Sequence, residues 1–187
     1  MATLFIKNMV CNRCIMAVQQ ELDQLGLAAE NIKLGEVTLA HEPTTEQNAQ
    51  LKNALHALGF EVIDDKKSRI IEKIKNIIID IVHHQDNDIK TNLSAVLSSR
   101  LHHDYNALSN LFSEVEGTTI EKYFIHQKIE KVKELLVYDE LSLSEIALQL
   151  NYSSVAYLSH QFKKVTGLTP SHFKQIRADK RKPLDEV

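Results

Sequence analysis

The chain has 187 residues, of which 43% are hydrophobic and 25% charged, with five Gly, three Pro and two Cys. This composition is typical of a globular protein of one domain or two small ones, and the low content of Gly and Pro indicates long helices. No segment approaches the roughly 20 apolar residues of a membrane helix, and the N-terminus has no secretory signal. We therefore expect a cytoplasmic protein with no membrane partner, and two closely spaced cysteines agree with a reducing compartment.

The net charge of −3 is distributed unevenly along the chain. Residues 1–65 carry a net charge of −5, residues 66–150 a net charge of −2, and residues 151–187 a net charge of +4. The overall balance argues against a nucleic-acid partner. The distribution reverses that argument for the C-terminal segment, because a basic surface is what a polyanion requires.

The first 65 residues combine strand and helix signals. Short β-prone segments begin and end this part, and two amphipathic helical patterns stop at Gly26 and Gly59. Residues 32–39 are predicted as one long strand or as two short strands around Gly35. The order is βαβαβ, and the fold class is α+β.

The rest of the chain is predicted to be helical. A polar run at residues 64–68 marks the boundary between a domain at 1–65 and an all-α domain at 66–187. Residues 120–138 have a single apolar stripe and are predicted to form one helix. Such a helix is about 30 Å long, close to the roughly 34 Å between successive major grooves on one face of DNA.

The all-α part contains an internal repeat with an offset of 50 residues. The pattern Leu-Ser-x-x-Phe-x-x-Val-x-Gly-x-Thr starts at Leu108 and again at Leu158. Each copy is predicted as a helix, a turn and a second helix. In the second copy, Ser142 and Glu145 form a capping box, and Gly167 ends the last helix of the unit.

The second helix of each copy has a face of short polar side chains opposite its apolar face. Short hydrogen-bonding residues permit close approach to a partner, and Asn pairs with adenine while Ser serves either class of base. A solvated helix face is the alternative for either helix alone, but the repeat makes that alternative weaker. The two faces contain Asn106, Ser109, Asn110 and Ser113 in the first copy and Ala156, Ser159, His160 and Lys163 in the second.

The second copy resembles the DNA-binding domain of AraC/XylS-type regulators. The resemblance rests on Ser144–Ala147, on Tyr152–Ser154 and on the run Phe162-Lys163-Lys164-Val165-Thr166-Gly167-Leu168-Thr169-Pro170, and it covers about residues 68–180. It implies two helix-turn-helix modules joined by a long helix, in a non-enzymatic transcription regulator whose partners are double-stranded DNA and RNA polymerase. By this resemblance, the base-facing residues are Asn106, Ser109, Asn110, Ser154, Ala156, Ser159, His160 and Lys163. We expect phosphate contacts from Lys163, Lys164, Lys174 and Arg177.

Two departures from the family pattern affect the prediction. Glu114 and Glu116 lie near the end of the first recognition helix, where the second copy has Lys164 and Thr166, so weak DNA binding or none is expected of the first module. Neither helix has an Arg for the O6 and N7 atoms of guanine, so readout would depend on Asn and His contacts and on DNA shape.

The N-terminal segment resembles a second family. Met9-Val10-Cys11-Asn12-Arg13-Cys14 is similar to the Met-x-Cys-x-x-Cys loop of heavy-metal-associated domains, which have a ferredoxin-like fold. The resemblance implies a soft metal ion, copper(I) or zinc, at Cys11 and Cys14, and a helix N-terminus lowers the pKa of a thiol. Asn8 stands where that family commonly has Gly, and the segment between the helices is shorter than its two-strand hairpin. An inert, partly buried pair is the alternative to a metal-binding or redox-active pair.

The leading hypothesis is a sequence-specific transcription regulator whose acidic N-terminal domain senses a metal or the redox state. The competing hypothesis is a thiol-based metal carrier or redox protein with a helical partner-binding domain. A third keeps DNA binding and makes the N-terminal domain a protein-docking or dimerisation unit. The chain contains no catalytic motif, which argues against an enzyme.

Overall fold

The computed structural model describes residues 2–63, 66–84 and 92–176. The chain divides into two compact units, Met1–Asn76 and Ile77–Val187. Within the described residues, no helix is both long enough and apolar enough to span a bilayer.

The first unit has a four-stranded antiparallel sheet with two helices in the order βαββαβ. The strands lie in the order β2-β3-β1-β4, and each hydrogen-bonded pair is antiparallel. The elements are β1 (Ala2–Lys7), α1 (Asn12–Gln24), β2 (Ala29–Lys33), β3 (Glu36–Leu39), α2 (Thr45–Ala57) and β4 (Glu61–Ile63). The sequence left open whether the middle segment is one strand or two, and the structure has two, joined by a tight turn.

Apolar side chains of alternate strand residues and of one face of each helix form the core of this unit. Ile6 of β1, Val18 of α1 and Leu51 of α2 are fully buried in it. A capping box begins α2. The Thr44 hydroxyl accepts a hydrogen bond from the backbone N–H of Gln47, and the Gln47 side-chain oxygen accepts one from the backbone N–H of Thr44. The unit therefore has its helices and its sheet on opposite sides of a single apolar layer.

The helix α3 (Lys66–Ile79) begins after β4, and its residues up to Asn76 belong to the first unit. Its polar side chains contact the strands: the Arg69 guanidinium lies 4.5 Å from the centre of the Phe5 ring. The Asn76 amide nitrogen donates to the Leu34 carbonyl at 3.2 Å. A Cβ atom on Gly35, which has a φ of +79°, would overlap with that Asn76 amide. The division between the units thus falls inside α3, because the start of this helix packs on the strands.

The second unit begins with the last residues of α3, and a π-helical turn, Asp80–His84, continues directly from them. The imidazole Nε2 of His83 lies 3.0 Å from the Gln127 side-chain oxygen, so the two groups share a hydrogen bond. The helices that follow are α4 (Leu93–Leu101), α5 (Tyr105–Glu116), α6 (Ile120–Tyr138), α7 (Leu143–Gln149), α8 (Val155–Thr166) and α9 (Pro170–Ile176).

The helix α6 is the centre of the second unit. It has the predicted bounds, and Ile129, Val132 and Leu136 are buried in a core that also contains apolar residues of α7, α8 and α9. Ile120 and Tyr123 at its other end are buried as well. Because one helix supplies the packing surface for the elements on both sides of it in sequence, α6 fixes the positions of α5 and α8.

The turn at Gly35 gives a test of the packing of α3 on the strands. Gly35→Ala should reduce the free energy of unfolding by about 2 kcal/mol, since it places a side chain in left-handed backbone and breaks the Asn76 hydrogen bond. Gly59→Ala is the matched control, because Gly59 has a φ of +84° but an added Cβ atom there would meet no other atom within 4 Å. It should cost about 1 kcal/mol. Urea unfolding followed by circular dichroism measures both values, and equal losses would contradict the proposed contact.

Candidate nucleic-acid interface

The helix pairs α4–α5 and α7–α8 have the same construction. The N-cap side chains Asp104 and Ser154 accept hydrogen bonds from the first turns of α5 and α8, respectively. Each of these helices has 12 residues and ends at a glycine in the left-handed conformation, Gly117 or Gly167. Only glycine adopts this conformation without strain, so the two helices stop at equivalent points.

An aromatic pair anchors each of these helices to the helix that follows it. Phe112 of α5 packs on Tyr123 of α6, and Phe162 of α8 packs on Phe173 of α9, with ring centroids 5.6 Å apart in both cases. All four rings are buried. Since the buried ring fixes the rotation of the helix about its axis, the same face of α5 and of α8 is directed outward.

The outward face of α8 contains the residues that the sequence predicted. Ala156, His160 and Lys163 are exposed, and Ser159 is half-buried at the edge of the face. Ser154 is also exposed, and its hydroxyl oxygen accepts from the Tyr157 amide at 3.0 Å, which leaves the hydroxyl hydrogen available to a ligand.

The outward face of α5 contains Asn106 and Asn110, which are exposed, and Ser109, which is half-buried. The carboxylate of Asp104 accepts a hydrogen bond from the backbone N–H of Asn106 at 2.9 Å, so the Asn106 side chain takes no part in this bond. At the other end of the helix, Glu114 is exposed and Glu116 half-buried. The predicted positions are thus accessible on both helices, but the charges around them differ.

The predicted phosphate-contacting residues do not share one environment. Lys164 is exposed in the last turn of α8, next to Lys163. Lys174 of α9 instead forms an ion pair with Asp139, the residue that ends α6. A phosphate contact by Lys174 would therefore compete with this carboxylate. Arg177 lies outside the described residues.

One exposed residue on α8 escaped the sequence prediction. Tyr157 is 51% exposed, next to Ala156, and its ring centroid lies 6.1 Å from that of Tyr152. An aromatic residue in a helix normally indicates core, which is why the pattern did not identify it. The position of Leu158 could have identified Tyr157 as exposed. Leu158 is buried, and residue 157 lies about 100° around the helix from it, away from the core.

A buried lysine lies beneath the turn between α7 and α8. The ammonium group of Lys128 is 3.9 Å from the centre of the Tyr152 ring and 5.6 Å from that of Phe124. Burial lowers the pKa of Lys128 to about 8. Burial also raises the pKa of the Tyr152 hydroxyl, so this ring stays neutral. The cation–π contact partly offsets the cost of burying the charge and holds the turn on α6.

In the first unit, the two thiols converge at the start of α1. Their Sγ atoms are 3.5 Å apart, and both residues are half-buried. Cys11 is the N-cap residue. Burial raises the pKa of Cys14, and its thiol lies 3.9 Å from the Asn8 carbonyl as a weak donor. The expectation that the helix terminus lowers the thiol pKa is therefore wrong for Cys14, because desolvation dominates. In the described ranges, no three His, Cys, Asp or Glu side chains are grouped so that they could hold one metal ion together.

Comparison with known proteins shows that the second unit is similar to helix-turn-helix domains of transcription regulators. A family model described as a helix-turn-helix domain matches residues 97–176. The HTH-type transcriptional regulator YtdP of Bacillus subtilis is 26% identical over 113 residues, which are 60% of this chain and 15% of that protein. The xylose operon regulatory protein of Escherichia coli K12 is 23% identical over 194 residues, covering 91% of this chain and 48% of the relative. The chain therefore spans less than half the length of these curated relatives.

A solved structure has the same fold as the second unit. The C-terminal domain of AraT, a response regulator from Geobacillus stearothermophilus, superposes with a TM-score of 0.51 at 23% identity. The match covers 63% of this chain and 95% of that domain. At this level of identity, the likeness establishes the fold.

The buried lysine predicts an unusual dependence of stability on pH. In the unfolded chain Lys128 keeps its proton up to about pH 10.4, whereas in the folded protein it begins to lose the proton near pH 8. The cost of burying the charge is therefore fully present below pH 8 and falls as the pH rises toward 10.4. Lys128→Met should stabilise the protein at pH 7 by on the order of 2 kcal/mol, and this gain should shrink by pH 9.5.

Urea unfolding at pH 7 and at pH 9.5 measures this difference. Lys122→Met is the control, because Lys122 is an exposed residue of the same helix. A gain from Lys128→Met that is the same at both pH values would contradict the assignment of a buried, charged lysine.

Proposed function

We propose that the protein is a sequence-specific, non-enzymatic DNA-binding transcription regulator of the AraC type. The match of residues 97–176 to a helix-turn-helix family model and the regulators among its relatives support this proposal. The observation that carries the proposal is the outward face of α8. It presents hydroxyl, imidazole and ammonium groups beside an exposed alanine, on a helix anchored by a buried aromatic pair. A rigidly held helix with short side chains is what the major groove accepts.

The proposal includes two helix-turn-helix modules, α4–α5 and α7–α8. The common construction of the two helix pairs supports this proposal: α5 and α8 have N-caps at equivalent positions, equal lengths and a buried aromatic pair at equivalent positions. The helix α6 has 19 residues and is therefore about 28 Å long, near the distance between successive major grooves. By this proposal α5 and α8 are the recognition helices.

Within the proposed interface, the residues have different tasks. Ser159, His160 and Lys163 supply hydrogen bonds to base edges, while Ala156 suits contact with a thymine methyl group. Lys164 contacts the phosphate backbone, which contributes affinity and salt dependence but no sequence information. The residues at the corresponding positions of the first module are Asn106, Ser109 and Asn110. A regulator of this kind acts where the DNA is, in the cytoplasm of a bacterial cell, with RNA polymerase as its protein partner.

We also propose that the first unit is a ferredoxin-like domain that holds a soft cation. The antiparallel order β2-β3-β1-β4 and the βαββαβ connectivity support the fold. The convergence of the Cys11 and Cys14 sulfur atoms supports the site, since two thiolates at about 2.3 Å from one ion lie within about 4.6 Å of each other. Two thiolates fit copper(I) better than zinc, because a structural zinc site takes four ligands. Binding must displace the Cys14 proton, so affinity would rise with pH.

A thiol-based metal carrier or redox protein is the second candidate. The 3.5 Å separation of the thiols favours it equally. The two candidates differ in what they require of α8: a carrier with a protein-docking helical domain needs no DNA contact from this helix.

Selection from random DNA duplexes tests the proposed DNA binding. The full chain at moderate salt should enrich a defined sequence. Lys163→Ala should weaken binding to that sequence by about tenfold or more, because a good base contact contributes roughly 1–3 kcal/mol of discrimination. Lys164→Ala should weaken binding to all duplexes alike and lower the salt slope by about 1. Lys52→Ala, in the other unit, is the control. If no sequence is enriched, the protein is not a sequence-specific regulator.

The thiol pair is tested by metal titration of the full chain. Copper(I) added in competition with a chromophoric chelator should bind in a 1:1 ratio, and Cys11→Ser/Cys14→Ser should abolish this binding. DNA affinity measured with and without copper(I) or zinc(II) then tests regulation. If the wild-type protein and the double variant have the same DNA affinity under all these conditions, the pair does not act as a sensor.

A further inference from the structure

The two recognition helices have the same core and opposite surface charges. At the end of α8 stand Lys163 and Lys164, whereas the equivalent positions in α5 are Ser113 and Glu114. The difference continues at further positions related by the offset of 50 residues. Carboxylates also stand at Asp104, at Glu116 and, at the start of α6, at Glu121, and their counterparts are Ser154, Thr166 and Ser171.

The carboxylates lie at both ends of α5. Asp104 caps its first turn, and Glu121 is fixed at the same end, because the hydroxyl of Tyr105 donates a hydrogen bond to the Glu121 carboxylate. This bond holds the pKa of Glu121 below its usual range, so the group stays charged at neutral pH. In the second module, Val155 and Ser171 replace this pair, and neither has a charge. The N-terminal end of a recognition helix is the end that contacts base edges.

The glutamates at the other end of α5 are unfavourably placed with respect to the helix dipole. The C-terminus of a helix has a partial negative charge, which disfavours carboxylates and favours ammonium groups. Lys163 and Lys164 complement the end of α8, whereas Glu114 and Glu116 oppose the end of α5. The residues of α5 from Tyr105 to Glu116 include no Lys or Arg, and the nearest basic residue in the next helix is Lys122.

DNA affinity arises mainly from cations that neutralise phosphates and release counterions. A groove-bound helix has phosphates on both sides, so acidic groups at both of its ends repel the phosphates. The sequence of α5 supplies no ammonium group that would attract them. The charge of α8 has the opposite sign, because this helix has two lysines and no carboxylate. The equal cores make the two helices equally able to present a face, and the charges decide which face a polyanion accepts.

We infer that DNA is held through α8 in a single major groove, and that the carboxylates of Asp104, Glu114, Glu116 and Glu121 keep α5 off the DNA. The inference rests on the proposed function. It adds that the recognised sequence is one half-site, with no second half-site about 10 base pairs away.

Footprinting and affinity measurements on the full chain test the inference. The wild-type protein should protect one groove of the selected duplex. Asn106→Ala and Asn110→Ala should change affinity by less than twofold, whereas Ser159→Ala and Lys163→Ala should each lower it several-fold or more. All four positions are at least partly exposed, so circular dichroism should show an unchanged fold.

A charge transplant provides the gain-of-function arm. Ser113→Lys/Glu114→Lys gives α5 the lysine pair of α8, and it should raise affinity, extend the footprint into a second groove and increase the salt slope by about 2. Glu46→Lys/Ala49→Lys is the matched control, because it makes the same change in net charge at exposed positions of α2. The control should leave the footprint unchanged.

The outcomes separate the two proposals. A wild-type footprint with two half-sites about 10 base pairs apart, and a loss of affinity from Asn106→Ala as large as that from Ser159→Ala, would overturn the inference and leave the proposed function intact. If the wild-type protein binds no duplex specifically, the proposed function fails and the inference fails with it.

Discussion

The packing of one buried aromatic ring on another determines which face α5 and α8 direct outward. Phe162 on Phe173 and Phe112 on Tyr123 have the same centroid separation of 5.6 Å, and each pair joins α8 or α5 to the next helix. Aromatic pairs in tilted or edge-on contact stabilise by about 0.5–1.5 kcal/mol beyond the burial of their area. More important here is orientation, since the rotation of a helix that carries a buried ring is fixed. The outward residues follow from that rotation.

Local sequence signals predicted the second unit well. The bounds of α6, the Ser142–Glu145 capping box and the ends of α5 and α8 at glycine are all observed. Each of these features depends on residues within about one helical turn of one another, so the sequence contains the information directly. The accessibility of the predicted outward faces also follows, because helical periodicity places them opposite the buried residues. Their contacts with DNA stay predictions.

Features that depend on distant residues could not be predicted. Whether residues 32–39 form one strand or two is decided by Gly35, whose turn packs against Asn76 of α3. The π-helical turn at Asp80–His84 has no periodic signature. The sequence predicted a phosphate contact by Lys174, but it could not show the ion pair between Lys174 and Asp139, which are distant in sequence. Cys14 looked activated by a helix terminus, but burial acts in the opposite direction.

By the proposed function, the second unit separates the residues that determine folding from those that determine DNA affinity. The side chains that hold α5 and α8 in place are buried and nearly the same in both copies, with Tyr in one where the other has Phe. The side chains that distinguish the copies lie at helix ends and on outward faces, where a change of charge costs little stability. A duplicated core can thus support two surfaces of opposite charge. The electrostatic part of DNA affinity depends on those surfaces alone. In the inferred mode of binding, the core therefore specifies two equivalent helix pairs, while the charges give only one of them an affinity for DNA.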